Sequence, residues 1–272
     1  MVVSLMYFVL SFRSTNSYTI NMKKGLVLTL WIIGIVIVLT ALVMGGFVLK
    51  MKSETKKMNV VETKEIVHNI FAIKDSYVNM YLVKDSDNFV AIDAGNDVET
   101  IENELKGLSI DPEKVVAVLL THTDRDHVAA LKLFKNASVY LSKEEEQMIN
   151  GTTTRLLNSH NKINTKTYIL LEDGQNIQIG KLTIKGILTP GHTPGSMSYL
   201  INDKYLFVGD AFGLKNGKID KPNSFFTKDM KTALSSLKKI VNLPHAEYIF
   251  TAHTGFSNNY KNAMKNWNKI TE

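Results

Sequence analysis

The chain contains no cysteine. That absence rules out disulfides and thiolate metal ligation, and it removes a lipidated cysteine as a membrane anchor. Internal repeats and low-complexity tracts are also missing, so the chain from residue 62 onward predicts one well-buried domain. Charge is wholly absent from Leu26 to Leu49, LVLTLWIIGIVIVLTALVMGGFVL. At ~1.5 Å per residue this run is long enough to cross a hydrocarbon core of ~30 Å. A buried core helix would carry a polar face, which this run lacks. A cleaved signal peptide has an apolar region of only ~7 to 15 residues and a small-x-small exit, and neither feature is present. Residues 22–49 therefore predict a single transmembrane signal anchor.

The flanks divide the rest. Residues 1–21 precede a natural beginning at Met22 (MKKG) and are expected to be a start-site extension or disordered, since the apolar stretch Val2 to Phe12 is too brief to span. Residues 50–61 are polar and lysine-rich and predict a tether. Lys50, Lys52, Lys56 and Lys57 favour a cytoplasmic domain by the positive-inside count. The short N-terminus with Lys23 and Lys24 resembles a bacterial signal anchor, which places the domain outside. The expected location is the cell membrane, single-pass, with the domain leaning to the outer face. The net charge of +6 is modest and concentrated near the apolar run, where lysines meet anionic headgroups. A nucleic-acid groove would interleave basic and aromatic residues. KDMKTALSSLKK, Lys228 to Lys239, instead predicts the wet face of a helix packing Met230, Leu234, Leu237 and Val241. The partners expected are a small-molecule substrate and the membrane, with no specific nucleic acid.

What is present in unusual density is metal-competent side chains. THTDRDH places His122, Asp124, Asp126 and His127 within six positions, directly after the apolar run Val115 to Leu120. A strand ending in a turn lets such side chains converge where a regular helix would splay them. Imidazole nitrogens and carboxylate oxygens are the donors that divalent transition metals coordinate. Three further candidates repeat the pattern of a β-rich run, a small residue and then a potential ligand: His192 in TPGHTPGS, Asp210 ending YLFVGD, and His253 in YIFTAHTG. Their joint recurrence points to one shared site. His68 is expected on a strand surface, His245 in a loop, and His160 in a solvated loop within the polar stretch Asn150 to Lys166.

From about Glu62 onward the chain resembles the metallo-β-lactamase-fold hydrolase superfamily, whose signature is HxHxDH followed by a lone His, a lone Asp and a final His. The resemblance implies that His122, Asp124 and His192 hold a first metal, that Asp126, His127 and His253 hold a second, and that Asp210 bridges them. It implies two divalent ions, zinc foremost. NMYLV…FVAIDAG resembles the family's opening hairpin, with Asp93 orienting a ligand rather than being one. Asp124 stands where the usual motif has a second His. That carboxylate adds negative charge to the first position and suits iron or manganese better than a purely imidazole set does. It leaves open a mixed or non-zinc pair, or a weakened first position. The flavodiiron branch is similar in this respect but needs a flavin domain for which no residues are available, and membrane-associated competence nucleases share the HxDxDH variant.

The implied chemistry is attack by a metal-bridging hydroxide on an ester, thioester or lactone, with Asp126 and Asp210 as the catalytic carboxylates that orient it and move its proton. PGHTPGS is similar to the loop of hydroxyacylglutathione hydrolases and acyl-lactonases. The alternatives are a phosphodiesterase or nuclease of the same fold, or a non-catalytic metal-binding scaffold. GSM near Ser196 lacks the second Gly of the nucleophile elbow, which argues against a serine hydrolase.

The periodicity predicts strands at Glu65 to Ile73, Tyr77 to Lys84, Phe89 to Asp93, Val115 to Leu120, Ser138 to Leu141, Tyr168 to Leu171, Ile177 to Ile179, Leu182 to Leu188, Met197 to Ile201, Tyr205 to Val208 and Glu247 to Thr251. Helices are expected at Val98 to Leu108, Asp126 to Phe134, Lys143 to Ile149 and Lys228 to Leu243. This alternation predicts a mixed α/β (α+β) fold, a four-layer αββα sandwich of two mixed sheets over residues 62–272.

Overall fold

Apolar runs of period two build the frame. The computed structural model describes residues 2–155, 159–165 and 167–271, which divide into a unit of Met1–Thr55 and a unit of Lys56–Glu272. The first is one helix, α1 (Val2–Thr55). Within it Leu26–Thr55 is long and apolar enough to cross a membrane, and every side chain from Leu26 to Leu49 is exposed. The helix outruns the expected end at Leu49. Lys50 to Thr55, assigned to the tether, are helical, and Lys50 Nζ reaches Glu54 Oε1 one turn on at 2.8 Å. Positions 2–21, expected to be an extension or disordered, belong to the same helix.

In the second unit β1 (Lys64–Val67), β2 (Ile70–Asp75), β3 (Val78–Asp85), β4 (Asn88–Ile92), β5 (Val115–Leu119), β6 (Ser138–Ser142) and β7 (Ile169–Leu171) form one sheet in that order. Its first four strands are antiparallel neighbours, and β4 to β7 run parallel. The second sheet uses β8 (Asn176–Ile179), β9 (Leu182–Leu188), β10 (Met197–Ile201) and β11 (Tyr205–Phe207). A separate hairpin, β12 (Gly213–Lys215) and β13 (Lys218–Asp220), precedes its last strands, β14 (Tyr248–Phe250) and β15 (Phe256–Ser257). The order is β15-β14-β11-β10-β9-β8, with only β11 and β14 parallel.

Alternation sorts side chains into three cores. Tyr81 and Val83 of β3 meet Met197, Tyr199 and Ile201 of β10 between the sheets. Met80 and Leu82 face outward to Ile101 and Leu105 of α2 (Val98–Gly107). Leu200 and Leu206 face the opposite way, toward Leu237 and Ile240. Helices therefore cover both outer faces, giving the expected four layers.

Several boundaries differ from expectation, each for a local reason. Glu65 to Ile73 is two strands rather than one, because the chain reverses at His68 and Asn69. Asn69 adopts a left-handed conformation (φ 64°), and its N–H donates to Glu65 Oε1 at 2.8 Å. His68 is thus an exposed turn residue rather than a strand residue. The helix expected over Asp126 to Phe134 is cut to α3 (Arg125–Val128) and a 3-10 turn at Leu131–Leu133. The His127 carbonyl accepts from Ala94 N, while Ala129 N and Ala130 N donate to Gly95 O and Ala94 O, so these groups serve the neighbouring loop instead of the helix. The helix expected at Lys143 to Ile149 is a 3-10 turn followed by α4 (Glu146–Ile149). The one expected at Lys228 to Leu243 is α5 (Met230–Ser236) and a 3-10 turn, and its buried stripe is Ala233, Ser236, Leu237 and Ile240, with Val241 packed partly buried beside it, while Met230 and Leu234 are half-buried. α6 (Tyr260–Met264) and α7 (Trp267–Thr271) end the described chain.

Candidate metal centre

The topology brings five loops to one edge. β4 and β5 are parallel in the first sheet, and β9, β11 and β14 share one direction in the second. Asp93, the Thr121 turn, the His192 loop, Asp210 and His253 each follow the carboxyl end of one of these strands. Glycine makes two of the approaches feasible. Gly209, before Asp210, has φ +53°, and a Cβ there would lie 2.5 Å from Thr121 Oγ1; Gly191, before His192, has φ +137°, and a Cβ would lie 2.3 Å from Ala233 Cα.

All seven side chains singled out as metal ligands meet in this pocket. His192 Nε2 lies 3.1 Å from Asp124 Oδ2 and 3.4 Å from Asp210 Oδ2, and His122 Nε2 lies 3.5 Å from Asp124 Oδ2. On the other side His127 Nε2 is 3.8 Å from Asp126 Oδ2 and 3.6 Å from Asp210 Oδ1. His253 Nε2 is 3.7 Å and 3.2 Å from the same two atoms. Ligand atoms of His122, Asp124 and His192 lie within 4.8 Å of one another, as do those of His122, His127 and Asp210 and those of Asp126, His127 and His253. His245 and His160 are exposed.

Whether these residues suit a cation is decided by what the buried atoms otherwise do. His122 Nε2, His127 Nε2 and Asp210 Oδ1 are buried without a hydrogen-bond partner. Leaving such atoms unpaired costs roughly 1–3 kcal/mol each, more for charged groups. The other ring nitrogens are engaged: His127 Nδ1 on Asp93 Oδ2 at 2.8 Å, His253 Nδ1 on the Tyr77 carbonyl at 2.7 Å, and His122 Nδ1 on Thr121 Oγ1 at 3.1 Å. With Nδ1–H donating, each Nε2 presents its lone pair to the pocket. The donor set fits a divalent ion.

Asp93 organises this side. Besides His127 it accepts from Thr121 N (2.7 Å) and Thr121 Oγ1 (2.9 Å), and it holds a left-handed backbone at φ 62°. Burial works against a charged His127, but Asp93, Asp126 and Asp210 outweigh it and lift the imidazole to about 10. His122 moves the other way, through burial and the neighbouring His127 and His192. Burial opposes ionisation of Asp210, yet His253, His192 and His127 hold it well below the usual carboxylate range.

Three contributors had no signal strong enough to single them out in the sequence. Glu145, fully buried, accepts from Thr123 N (2.8 Å), Thr123 Oγ1 (2.7 Å), Thr193 Oγ1 (2.6 Å) and Gly195 N (3.2 Å), so it ties the loop of Asp124 to the loop of His192. Asn161 Nδ2 donates to Asp124 Oδ1 at 2.9 Å. Arg155 Nε donates to the same oxygen at 3.0 Å, and Nη2 contacts Asp124 Oδ2. Arg155 and Asn161 come from the polar stretch Asn150 to Lys166, where only a solvated loop is expected. One clue existed: arginine occurs only at positions 13, 125 and 155 of a lysine-rich chain, and a planar fork is the group suited to a carboxylate.

Known proteins share this sequence pattern and fold. Residues 73–253 match the family model of the metallo-beta-lactamase superfamily. The chain is 30% identical over 204 residues to the hydroxyacylglutathione hydrolase of Buchnera aphidicola subsp. Schizaphis graminum, covering 73% of this chain and 70% of that protein. It is 28% identical over 194 residues to a Bacillus velezensis protein named "Probable polyketide biosynthesis zinc-dependent hydrolase BaeB", covering 69% and 78%. Among solved structures, a metallo-beta-lactamase family protein from Thermus thermophilus superposes with a TM-score of 0.56 at 19% identity, over 74% of this chain and 78% of that one. The match spans the strands that carry the site, and on it the chain belongs to the metallo-beta-lactamase superfamily, whose relatives here are metallohydrolases.

Proposed function

We propose that this protein is a membrane-anchored, metal-dependent hydrolase acting on an ester, thioester or lactone. The observation that carries the metal-dependent part is the convergence of three buried, unpartnered atoms, His122 Nε2, His127 Nε2 and Asp210 Oδ1. The sulfur- and ester-type substrates are supported by the likeness to a hydroxyacylglutathione hydrolase. The ligand set offers positions for two divalent ions, zinc foremost, with His122, Asp124 and His192 at the first, Asp126, His127 and His253 at the second, and Asp210 between them. A bound divalent ion supplies Lewis acidity toward water and toward a carbonyl oxygen.

The chain's own residues do the rest. Asp210, which His253, His192 and His127 hold ionised, and Asp126 are carboxylates facing the pocket, positioned to orient an attacking water and take its proton. Asp93 fixes the ring of His127, and the Tyr77 carbonyl fixes His253. Tyr77 stacks on His253 at 6.0 Å, and burial with Asp126 pushes its phenol up to about 12, so it stays neutral and able to donate a hydrogen bond. The apolar helix Leu26–Thr55 supports anchoring, with the domain on the outer face.

The test is turnover of lactone, thioester and bis-p-nitrophenyl phosphate substrates by the full chain reconstituted with zinc, manganese or iron, beside Asp210→Ala. Lactone or thioester turnover that falls at least about 100-fold in Asp210→Ala supports the proposal. Turnover confined to the phosphodiester replaces it with the phosphodiesterase reading, and no turnover with any metal leaves a binding scaffold. Membrane fractionation and protease accessibility in intact cells check the anchor and its sidedness.

A further inference from the structure

The two halves of the pocket are not equivalent. Around Asp126, His127 and His253 the facing atoms lie, among the described residues, against one another, Asp210 and His122, with no arginine or lysine side chain among them. Around Asp124 both carboxylate oxygens are in use. Oδ1 accepts from Arg155 Nε and Asn161 Nδ2, and Oδ2 faces Arg155 Nη2. The same Nη2 lies 2.9 Å from His192 Nε2, while Nη1 donates to the Phe226 carbonyl at 2.8 Å, bracing the guanidinium from the far wall. Asp124 Oδ2 and His192 Nε2 are the atoms that must turn to an ion at the first position, and a fixed positive charge already stands between them. Asp124 also sits at the N-cap of α3 without capping it, its side chain being turned to Arg155. A guanidinium stays charged at any physiological pH, so the first position carries a resident cation that a metal must displace or endure.

We propose that Arg155 competes with the metal for the first position, so that the chain loads divalent ions in two unequal steps: the Asp126–His127–His253 position tightly, and the His122–Asp124–His192 position weakly, as Arg155 withdraws. This rests on the metal-centre reading above and adds to it the residue that sets occupancy. Arg155 is a positioning residue in this role, acting through Asp124 and His192.

The experiment titrates zinc into the full chain, purified in detergent and stripped with a chelator, by calorimetry, and counts retained zinc by mass spectrometry after gel filtration. Wild type should bind in two steps separated by about 100-fold and retain one zinc per chain. R155M should raise the affinity of the weaker step by roughly 10- to 100-fold, the range over which groups touching metal ligands tune affinity, and retain two. R155K keeps the charge and loses the fork, and its gap should fall between the two. Two equally tight zincs in wild type, or a weaker step unchanged or weakened further in R155M, overturns the proposal and leaves the metallohydrolase reading standing. No zinc in any variant overturns both. Should thermal melting show R155M unfolded, R155K decides, and a gap equal to wild type overturns the proposal.

Discussion

At the scale of single residues, the pocket's chemistry is set by who holds each imidazole. Asp93 is the strongest case, because one carboxylate serves the Thr121 turn and His127 together. Asp93→Ala should weaken zinc binding by about 10- to 100-fold, read by competition with a chromogenic chelator. His127 gives a pH test whose sign follows from its position near 10, above the ordinary 6.5. In chelator-treated protein the proton on His127 stabilises the fold fully below pH 6.5, and that contribution is lost as pH rises through about 10. The melting temperature of the stripped protein should therefore fall between those values. Zinc should shrink or reverse the trend, since metal binding removes the same proton. Residue identity was also what the sequence showed most clearly. The seven candidate ligands are short-range patterns, each a His or Asp at the end of an apolar run. Arg155 and Asn161 approach Asp124 from 31 and 37 residues away, and Glu145 is a carboxylate in an acidic surface-like run, EEE. No local periodicity marks such contacts.

At the scale of elements, the strands were legible because their side chains alternate between cores, and apart from Glu65 to Ile73, which is two strands, their predicted and observed limits differ by a residue or two. Helix ends were less so, because tertiary hydrogen bonds decide them: the Ala94–Gly95 loop takes the groups that would have prolonged α3. The hairpin β12–β13 and the strand β15 are too short for a two-residue period to register. Glu145 shows what joins loop to loop. Its four donors leave no apolar replacement neutral, and Glu145→Ala should cost about 3–5 kcal/mol, measured by denaturant unfolding. Zinc affinity should fall with it, because Thr123 and Thr193 flank Asp124 and His192 in sequence.

At the scale of the whole molecule, a charge-free apolar run and a single α/β domain were both plain in the sequence, and the join between them was not. The polar stretch before Glu62 reads as a tether, yet its last part belongs to the domain. Asn59 N donates to the His253 carbonyl at 2.8 Å, and Val61 exchanges two hydrogen bonds with the Asn79 side chain, at 2.7 and 2.8 Å. A chain shortened to begin at Lys56 should keep zinc affinity close to that of the full chain, whereas one beginning at Glu62 should bind zinc more weakly and unfold at lower denaturant, by about 1–3 kcal/mol for the lost buried bonds. Calorimetry and urea melts of the two would show it. The Asn59 bond thus sets the excision point for anyone wanting a detergent-free version of this protein: a cut chosen by sequence alone, at the edge of the lysine-rich segment, would remove the brace behind one of the imidazoles and be mistaken for an intrinsically feeble site.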